Sequence, residues 1–194
     1  MMDLFDKDTK DAVDNNSQKN IPLAEKLRPK VLDEVIGQEK ILASDGQLKS
    51  MVKSGQLSSI IFWGPPGVGK TTLARVIANE VSAHYEEISA IFSGVSDLKK
   101  LLTAATVRHS NGVKTILFVD EIHRFNKSQQ DSFLPYMENG TITLIGATTE
   151  NPSFELNSAL LSRSNVILLE RLNAEDLRKI FNRAIGFMLS LIHI

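Results

Sequence analysis

The length, composition and charge of this sequence are typical of one ordinary globular domain: 194 residues, 42% of them hydrophobic and 23% charged, with a formal net charge of −1. The near-zero charge gives no global indication of a nucleic-acid or membrane surface, and the absence of cysteine excludes disulfides, thiol catalysis and cysteine-bound zinc. No apolar stretch is long enough to span a bilayer and the polar N-terminus is unlike a secretory signal, so we predict a cytoplasmic protein without a membrane partner.

A polar tail is predicted to precede an alternation of strands and helices. Residues 1–20 are expected to be disordered, because residues 6–20 carry scarcely an apolar side chain to offset the entropy of ordering. Five apolar segments are predicted strands: Ser59–Trp63, His84–Ser89, Lys114–Val119, Thr141–Ala147 and Asn165–Leu169. Helices are predicted at Thr71–Ser82, Asp97–His109, Lys127–Asn139 (kinked or shortened by Pro135), Asn157–Ser162 and Ala174–Ala184, the last capped by Asn173. This alternation predicts an α/β fold whose parallel sheet is covered by helices on both faces.

A glycine-rich run lies between the first predicted strand and the helix that follows it. It has the pattern G-x-x-x-x-G-K-[ST] and consists of Gly64, Pro65, Pro66, Gly67, Val68, Gly69, Lys70 and Thr71, followed by Thr72. The glycines let backbone N–H groups point at phosphates, and the helix start adds its positive dipole end. Lys70 is expected to neutralise the β and γ phosphates, and Thr71 to place a hydroxyl on Mg²⁺. A glycine-rich turn with an incidental lysine is the alternative, but the flanking strand and helix favour a site for ATP with Mg²⁺.

Two carboxylates follow the most apolar predicted strand, in the run TILFVDE from Thr115 to Glu121. The carboxyl end of a strand is where ligands bind in open parallel sheets. We expect Asp120 to bind Mg²⁺ largely through its water shell and Glu121 to orient and polarise the attacking water. An acidic strand end at the surface is the alternative. The pair favours hydrolysis by water over phosphoryl transfer to a small molecule.

Three more polar residues are candidates, each with an ordinary explanation beside the functional one. His123 is explained equally well by packing or hydrogen bonding and by a sensor role. Thr149 follows the fourth predicted strand and is our choice for contacting the attacking water or the γ phosphate, although Thr-Glu-Asn-Pro is also common in turns. Arg163 precedes the fifth strand, where the local sequence alone favours an interaction with a helix dipole.

Together these motifs resemble an AAA+ ATPase, and two longer runs resemble one group within it. The runs are LRPKVLDEVIGQ and DEIHRFNKSQQDSFLPYMENGTITLIGATTENPSFELNSALLSR. They are similar to the replication-associated recombination protein A family, the MgsA/Werner-helicase-interacting group, whose members are kin to clamp-loader subunits and to the Holliday-junction motor RuvB. The resemblance covers residues 21–178.

The resemblance implies a fold and assigns further roles. The fold is an AAA+ P-loop NTPase core whose five parallel strands have the order 5-1-4-3-2, with a helical lid after them. In that order Thr149 lies between the P-loop strand and the strand of Asp120, as a first sensor. Arg163 matches the arginine finger that acts on a neighbouring subunit, and Ile36 matches a segment that flanks the adenine base. The implied domains are a tail over residues 1–20, a nucleotide-binding domain over 21–172 and the start of the lid over 173–194.

The implied function is ATP-driven remodelling of DNA at stalled replication forks and recombination intermediates, on ends and junctions. Full-length members would form homo-oligomers near the bacterial nucleoid, with a sliding clamp or a single-strand-binding protein as candidate partner. Met2–Phe5 resembles a clamp-docking motif without its leading glutamine, and the start of a flexible tail is the alternative. A solvated charged face is likewise the alternative for the candidate DNA-facing residues Lys99, Lys100, Arg108, Arg124 and Lys127.

The sequence departs from the family at its C-terminal end. The family continues with a lid that carries a second sensor arginine and with oligomerisation helices. The last residues, Gly186–Ile194, are apolar with almost no polar face, so we expect a truncated or frame-shifted reading and weak ATPase activity of the isolated chain. Two alternatives stay open: a nucleotide-binding module without efficient turnover, and a P-loop kinase. The Asp120-Glu121 pair disfavours the kinase.

Overall fold

The computed structural model describes residues 22–192, with side chains up to residue 190. The tail predicted over residues 1–20, with its candidate clamp-docking motif, lies outside these residues. The chain divides into two compact units. The larger unit is Pro29–Leu177, and the smaller contains the described residues 22–28 and 178–192.

A five-stranded parallel sheet forms the centre of the larger unit. Its strands are β1 (Ser59–Trp63), β2 (His84–Ser89), β3 (Thr115–Asp120), β4 (Thr143–Thr148) and β5 (Ser164–Leu168). Their spatial order is β2-β3-β4-β1-β5 and all pairs are parallel. This confirms the α/β fold and the expected order 5-1-4-3-2, read from the other edge.

Helices precede, separate and follow these strands along the chain. The described helices are α1 (Leu23–Lys26), α2 (Glu39–Leu42), α3 (Gln47–Lys53), α4 (Lys70–Glu80), α5 (Val95–Ser110), α6 (Lys127–Asp131), α7 (Leu134–Glu138), α8 (Pro152–Glu155), α9 (Ser158–Leu161) and α10 (Ala174–Ile192). Single 3₁₀ turns lie at Leu32–Glu34 and Ile122–Arg124. None of the helices within residues 22–192 is long and apolar enough to cross a bilayer.

The central strands are buried on both faces, because side chains of a strand alternate between two helical layers. Ile60 and Phe62 of β1 belong to one apolar cluster, with Leu73 of α4. Ile61 belongs to the other cluster, with Leu98 of α5. The expectation of helices on both faces is therefore confirmed.

Two predicted elements have different bounds in the structure. The helix predicted over Lys127–Asn139 is divided into α6 and α7, and Pro135 lies in the first turn of α7, where its missing N–H needs no partner. The fourth strand begins at Thr143 instead of Thr141, because the Thr141 and Ile142 amides donate to Asn139 Oδ1 and Tyr136 O at 3.0 Å each. These bonds hold the chain against α7 before it enters the sheet.

Candidate functional site

The carboxyl ends of β1, β4 and β3 bring the predicted site residues to one edge of the sheet. Trp63, the last residue of β1, pairs with Thr148, the last residue of β4. On the other side of β4, Val119 of β3 pairs with Gly146. The end of β4 thus lies between the glycine-rich loop and the Asp120-Glu121 pair, as the strand order requires.

The glycine-rich loop needs glycine at three positions for two different reasons. Gly67 and Gly69 have φ of 78° and 98°, in the left-handed region that favours glycine. A Cβ on either would meet open space, so the backbone angle and not crowding selects glycine there. At Gly64, a Cβ would lie 2.5 Å from the carbonyl oxygen of Leu169. The loop is therefore fixed by its own backbone angles and by close contact with the chain that leaves β5.

Lys70 begins α4 and its side chain is buried within the loop. Its Nζ donates to the carbonyl oxygens of Gly64 at 2.7 Å and Pro65 at 2.9 Å. Burial lowers the pKa of Lys70 below its ordinary value, while the charges of Glu121 and Asp120 act in the opposite direction. The ammonium group and the two carboxylates thus share one electrostatic environment.

The start of α4 fits an anionic ligand. Its N-cap is Gly69, which has no side chain to accept a hydrogen bond from the first-turn amides. The first backbone bond of the helix is donated by Leu73 to Gly69 O, at 2.9 Å, so the amides of Lys70, Thr71 and Thr72 precede it. Unsatisfied N–H groups and the positive dipole end bind phosphate well. The residues present therefore fit a nucleotide's phosphate chain.

The described residues contain no cluster of three histidines or carboxylates that could hold a metal ion unaided. Asp120 ends β3 and Thr71 lies in the first turn of α4. One carboxylate and one hydroxyl suit Mg²⁺, which keeps several water ligands and takes the rest from substrate phosphates. The donor set fits a nucleotide-borne magnesium ion.

Glu121 follows β3 in a backbone conformation that is uncommon for a glutamate. Its φ is 51°, a region where non-glycine residues persist only if their surroundings fix them. Arg124 N donates to Glu121 O at 2.8 Å and closes the 3₁₀ turn. The carboxylate Oε2 lies 3.3 Å from His123 Nδ1, and Thr149 Oγ1 donates to it at a long 3.5 Å. The predicted catalytic glutamate and first sensor are therefore neighbours.

His123, for which two explanations were open, is a buried hydrogen-bonding residue of this same group. Its side chain is 6% exposed, and Nδ1 lies 2.9 Å from Thr148 Oγ1. Thr148 is itself fully buried and its hydroxyl also accepts from Glu150 N at 3.1 Å. The imidazole thus bridges the end of β4 and Glu121.

Sequence reasoning missed Thr148 in favour of its neighbour Thr149. Strand alternation was the available signal. A Cβ on Gly146 would contact Ile61 and Ile122, so Gly146 faces the 3₁₀ turn, and Thr148 two residues later faces the same way. Thr148 therefore meets His123, while Thr149 lies beyond the end of the strand.

Ile36 lies in a half-buried segment next to the chain that leaves β5. The Gln38 side chain donates to Glu170 O at 2.7 Å and accepts from Glu170 N at 3.1 Å. Gly37 has φ 78°, and a Cβ there would lie 2.6 Å from Leu172 Cδ2. Since Leu169 contacts Gly64, these bonds hold the Ile36 segment at the loop's edge of the sheet.

Arg163 is not part of this group of residues. It precedes β5, whose first residue Ser164 pairs with Ser59 at the start of β1. The strands are parallel, so Arg163 lies at the amino edge, about 15 Å from the loop that follows the five-residue β1. Its side chain is 41% exposed, and its guanidinium pairs with Glu138 at 2.6 Å and donates to Ala159 O at 2.9 Å.

Among the five basic residues considered for a DNA-facing surface, Arg108 lies apart from the others. Arg108 forms an ion pair with Glu86 near the end of the 16-residue α5, and its carbonyl accepts from Val113, close to the amino edge. Lys99 and Lys100 are exposed near the start of α5, with Lys100 3.9 Å from Asp97. The other two, Arg124 and Lys127, are exposed at the carboxyl edge.

Comparisons with known proteins agree with this geometry. Residues 60–172 match the family model described as "ATPase family associated with various cellular activities (AAA)". Replication-associated recombination protein A of Escherichia coli strain K12 is 54% identical over 174 residues, 90% of this chain and 38% of that protein. The ATPase WRNIP1 of Dictyostelium discoideum is 50% identical over 164 residues, 84% of this chain and 19% of that protein. The chain thus spans less than two fifths of the length of these relatives.

Solved structures of a DNA motor share the fold. One point variant of Thermotoga maritima RuvB has a TM-score of 0.70 and 32% identity, covering 84% of this chain and 55% of the RuvB chain. The T. maritima RuvB Holliday junction branch migration motor has a TM-score of 0.66 and 34% identity, with the same coverage.

Proposed function

The chain belongs to the ATPase family associated with various cellular activities (AAA), and from that premise we propose that it couples ATP hydrolysis to remodelling of DNA at stalled replication forks and recombination intermediates. One observation carries the proposal: Lys70, Asp120, Glu121 and the end of β4 converge at one edge of the sheet. Nucleotide binding and ATPase activity are general properties of the family. The action on DNA ends and junctions is inferred from the relatives named for replication and recombination.

In the proposed site the loop Gly64–Thr72 wraps the phosphates with its backbone amides. Lys70 leaves its two carbonyl acceptors and neutralises the β and γ phosphates. Thr71 and Asp120 would hold Mg²⁺, Asp120 largely through water. When bound, the ion would neutralise charge on the phosphate oxygens.

Glu121 is the proposed general base. It accepts a proton from the water that attacks the γ phosphorus, the bond from that phosphorus to the bridging oxygen breaks, and ADP and phosphate leave. Thr149 would hold the water or a γ-phosphate oxygen as first sensor. His123 and Thr148 would fix the direction of the Glu121 carboxylate.

Arg163 is proposed to act on the site of a neighbouring copy. Its place at the amino edge supports this, because the side chain cannot span about 15 Å to its own loop. An arginine finger contributes about 10³ to 10⁵ in rate. A homo-oligomer is therefore part of the proposal, and isolated copies would bind nucleotide without efficient turnover.

The remaining assignments follow from the same proposal. Ile36 would pack against adenine, within a nucleotide-binding domain over residues 21–172 and with a lid that starts at residue 173. In the cell the protein would be cytoplasmic, close to the bacterial nucleoid, and meet DNA together with a sliding clamp or a single-strand-binding protein.

Replacing Glu121 tests the assignment of the water-activating group. We expect E121Q to retain ATP binding, measured with a fluorescent ATP analogue, and to lose at least about 100-fold in single-turnover hydrolysis, because the amide cannot accept the proton. E150Q is the matched control at the same edge and should hydrolyse ATP like the parent. Hydrolysis by E121Q at the parental rate would show that another group activates the water.

The DNA part of the proposal is tested with a forked junction labelled on one strand. In the presence of ATP the protein should change the strand pairing of the fork, and E121Q should not. If ATP is hydrolysed and no DNA structure is altered at any protein concentration, the remodelling proposal is wrong while the ATPase assignment stands.

A further inference from the structure

Glu138 and Arg163 form an ion pair at the amino edge of the sheet. The Nη2 of Arg163 lies 2.6 Å from Glu138 Oε1, although the two residues belong to different elements. Glu138 is the last residue of α7, and Arg163 follows α9, which ends at Leu161. The Nη1 of Arg163 also donates to Ala159 O at 2.9 Å and to Ser162 Oγ at 3.2 Å. The guanidinium is therefore held between the C-terminal ends of two helices.

The position of Glu138 is not explained by its own helix. A negative side chain in the last turn of a helix opposes the helix dipole, so that lysine or arginine is favoured there. Glu138 is nevertheless the final residue of α7, and 53% of its side chain is exposed. Ion pairs at the surface contribute little to stability, so folding energy is a weak reason for this one. The contact with Arg163 is the feature that accounts for a carboxylate at this position.

An open cavity beside the ion pair gives the arginine room to move. The cavity has a volume of about 350 Å³, and its lining includes Arg163, Glu138, Met137, Ser59 and Thr143. A long arginine side chain has many accessible rotamers unless its surroundings select one. With the carboxylate removed, the Arg163 side chain could turn into this cavity and away from a neighbouring copy. Glu138 therefore limits the directions in which the guanidinium points.

We propose that Glu138 is the positioning residue of the arginine finger, and that it holds the Arg163 guanidinium in the direction in which the γ phosphate of a neighbouring copy receives it. This inference rests on the proposed function, in which Arg163 completes the site of that copy. A guanidinium has more N–H donors than the contacts with Glu138, Ala159 and Ser162 use, so donors remain for a phosphate oxygen. Because the side chain is ordered before the copies meet, less conformational entropy is lost when the shared site forms.

Glu138 is expected to act on the neighbouring copy and not on the loop of its own chain. The ion pair lies at the amino edge, about 15 Å from the loop Gly64–Thr72 across the five-residue β1. Removing the carboxylate should therefore leave nucleotide binding by the same chain unchanged. The loss should appear only at a site that receives its finger from the altered chain.

Mixtures of variant chains test this difference, because the altered chain can be made either the donor or the receiver of the finger. In a mixture of K70A and R163A, the K70A chains supply the finger and the R163A chains supply an intact loop. We expect K70A/E138A mixed with R163A to hydrolyse ATP about 10- to 100-fold more slowly than that mixture. K70A mixed with R163A/E138A should match the K70A and R163A mixture, because the finger then keeps its glutamate.

Glu39 provides a matched control, because it is an exposed glutamate in another short helix. K70A/E39A mixed with R163A should be as active as the K70A and R163A mixture. Equal losses from E138A on either chain would show that Glu138 supports the fold of each copy and does not direct the finger. Full activity of K70A/E138A with R163A would show that Arg163 needs no such partner. Either result overturns the proposal.

Sedimentation velocity of the same mixtures separates positioning from assembly. E138A should leave the sedimentation profile and the affinity for a fluorescent ATP analogue unchanged while hydrolysis falls. A loss of assembly together with hydrolysis would mean that Glu138 contacts the neighbouring copy directly, which contradicts the proposal.

The K70A and R163A mixture keeps the two proposals distinguishable. If that mixture is active and insensitive to E138A, only the positioning role of Glu138 fails. If it is no more active than its components, the shared site itself is wrong and the role of Glu138 falls with it.

Discussion

At the scale of single residues, the proposed hydrolysis site is a set of side chains whose positions constrain one another. Glu121 has a left-handed backbone, and the buried His123 imidazole lies between its carboxylate and the Thr148 hydroxyl. A carboxylate fixed in direction loses less freedom when it has to meet a water molecule, which is the benefit of preorganisation. From these contacts we propose that His123 is a positioning residue that acts through Glu121.

Removing the imidazole should impair turnover and spare binding. We expect H123A to lower single-turnover ATP hydrolysis about 10- to 100-fold while the affinity for a fluorescent ATP analogue changes little. H123N, whose amide can still bond Thr148, should recover part of the rate. The exposed His109 provides a control, H109A. Equal rates for H123A and H109A would show that His123 only fills space.

Lys70 shows a conflict between function and stability. Burial lowers its pKa from the ordinary 10.5, which means that the folded state disfavours the charged form. Below the lowered pKa the lysine is protonated in both folded and unfolded chains, so the full cost is present there. The cost fades as pH rises from the lowered pKa towards 10.5, where the unfolded chain also loses the proton.

Replacing Lys70 with an uncharged side chain should therefore stabilise the folded protein, and more so at pH values where the lysine is protonated. We expect K70M to unfold at a higher temperature than the parent at about pH 7, with the difference reduced at about pH 10, and to lose binding of the ATP analogue. K114M at an exposed lysine is the control and should leave both properties nearly unchanged. A K70M protein less stable than the parent at neutral pH would mean that the two carbonyl contacts outweigh the burial cost.

At the scale of elements, the contacts between the loops that follow the strands decide where the proposed site lies. Gly64 leaves β1 directly under the carbonyl of Leu169, and buried Gln130 donates to the carbonyls of Phe125 and Glu155 at 2.9 and 3.2 Å. Gln130 also accepts from Asn157 N at 2.9 Å. These contacts join the 3₁₀ turn, α6, α8 and α9 into one support beneath the carboxyl edge.

Two glycine-to-alanine replacements compare a position where the added Cβ would meet the backbone with one where it would meet nothing. G64A places a Cβ 2.5 Å from a backbone oxygen and should cost about 1–3 kcal/mol of unfolding free energy. G186A lies within α10, where nothing would meet the Cβ, and should gain up to about 1 kcal/mol. Urea titration followed by circular dichroism measures both. A G64A chain as stable as the parent would indicate that β5 moves away from the loop without cost.

At the scale of the whole molecule, the length of the parallel strands separates the two halves of the proposed catalytic machinery. The loop, the carboxylates and the β4 end lie at the carboxyl edge, whereas Arg163 lies at the amino edge beside β5. A parallel sheet cannot bring its two ends together. The geometry therefore supports a site completed by another copy, and the relatives extend well beyond the length of this chain.

Hydrolysis should accordingly depend on protein concentration. We expect ATPase activity per chain to rise with concentration, and a mixture of K70A and R163A chains to hydrolyse more ATP than either variant alone, because K70A supplies the finger and R163A supplies an intact loop. Each variant alone at the same total concentration is the control. Activity per chain that is independent of concentration, or a mixture no better than its components, would refute the shared site.

The sequence by itself determined the fold of this protein and the candidate residues of its site. Buried parallel strands need continuous apolar runs, so the sequence predicted the five strands, and the family resemblance predicted their order. A phosphate loop needs glycines at fixed spacing, so the sequence also predicted the positions of Gly64–Thr72, Asp120 and Glu121. Only the tertiary structure decided two further points. It paired His123 with Thr148, and it placed Arg108 away from the carboxyl edge, where the other basic residues lie. Each point depends on which strand ends become neighbours in the sheet. Such neighbours are far apart in the chain, so no local sequence pattern encodes the distance between them.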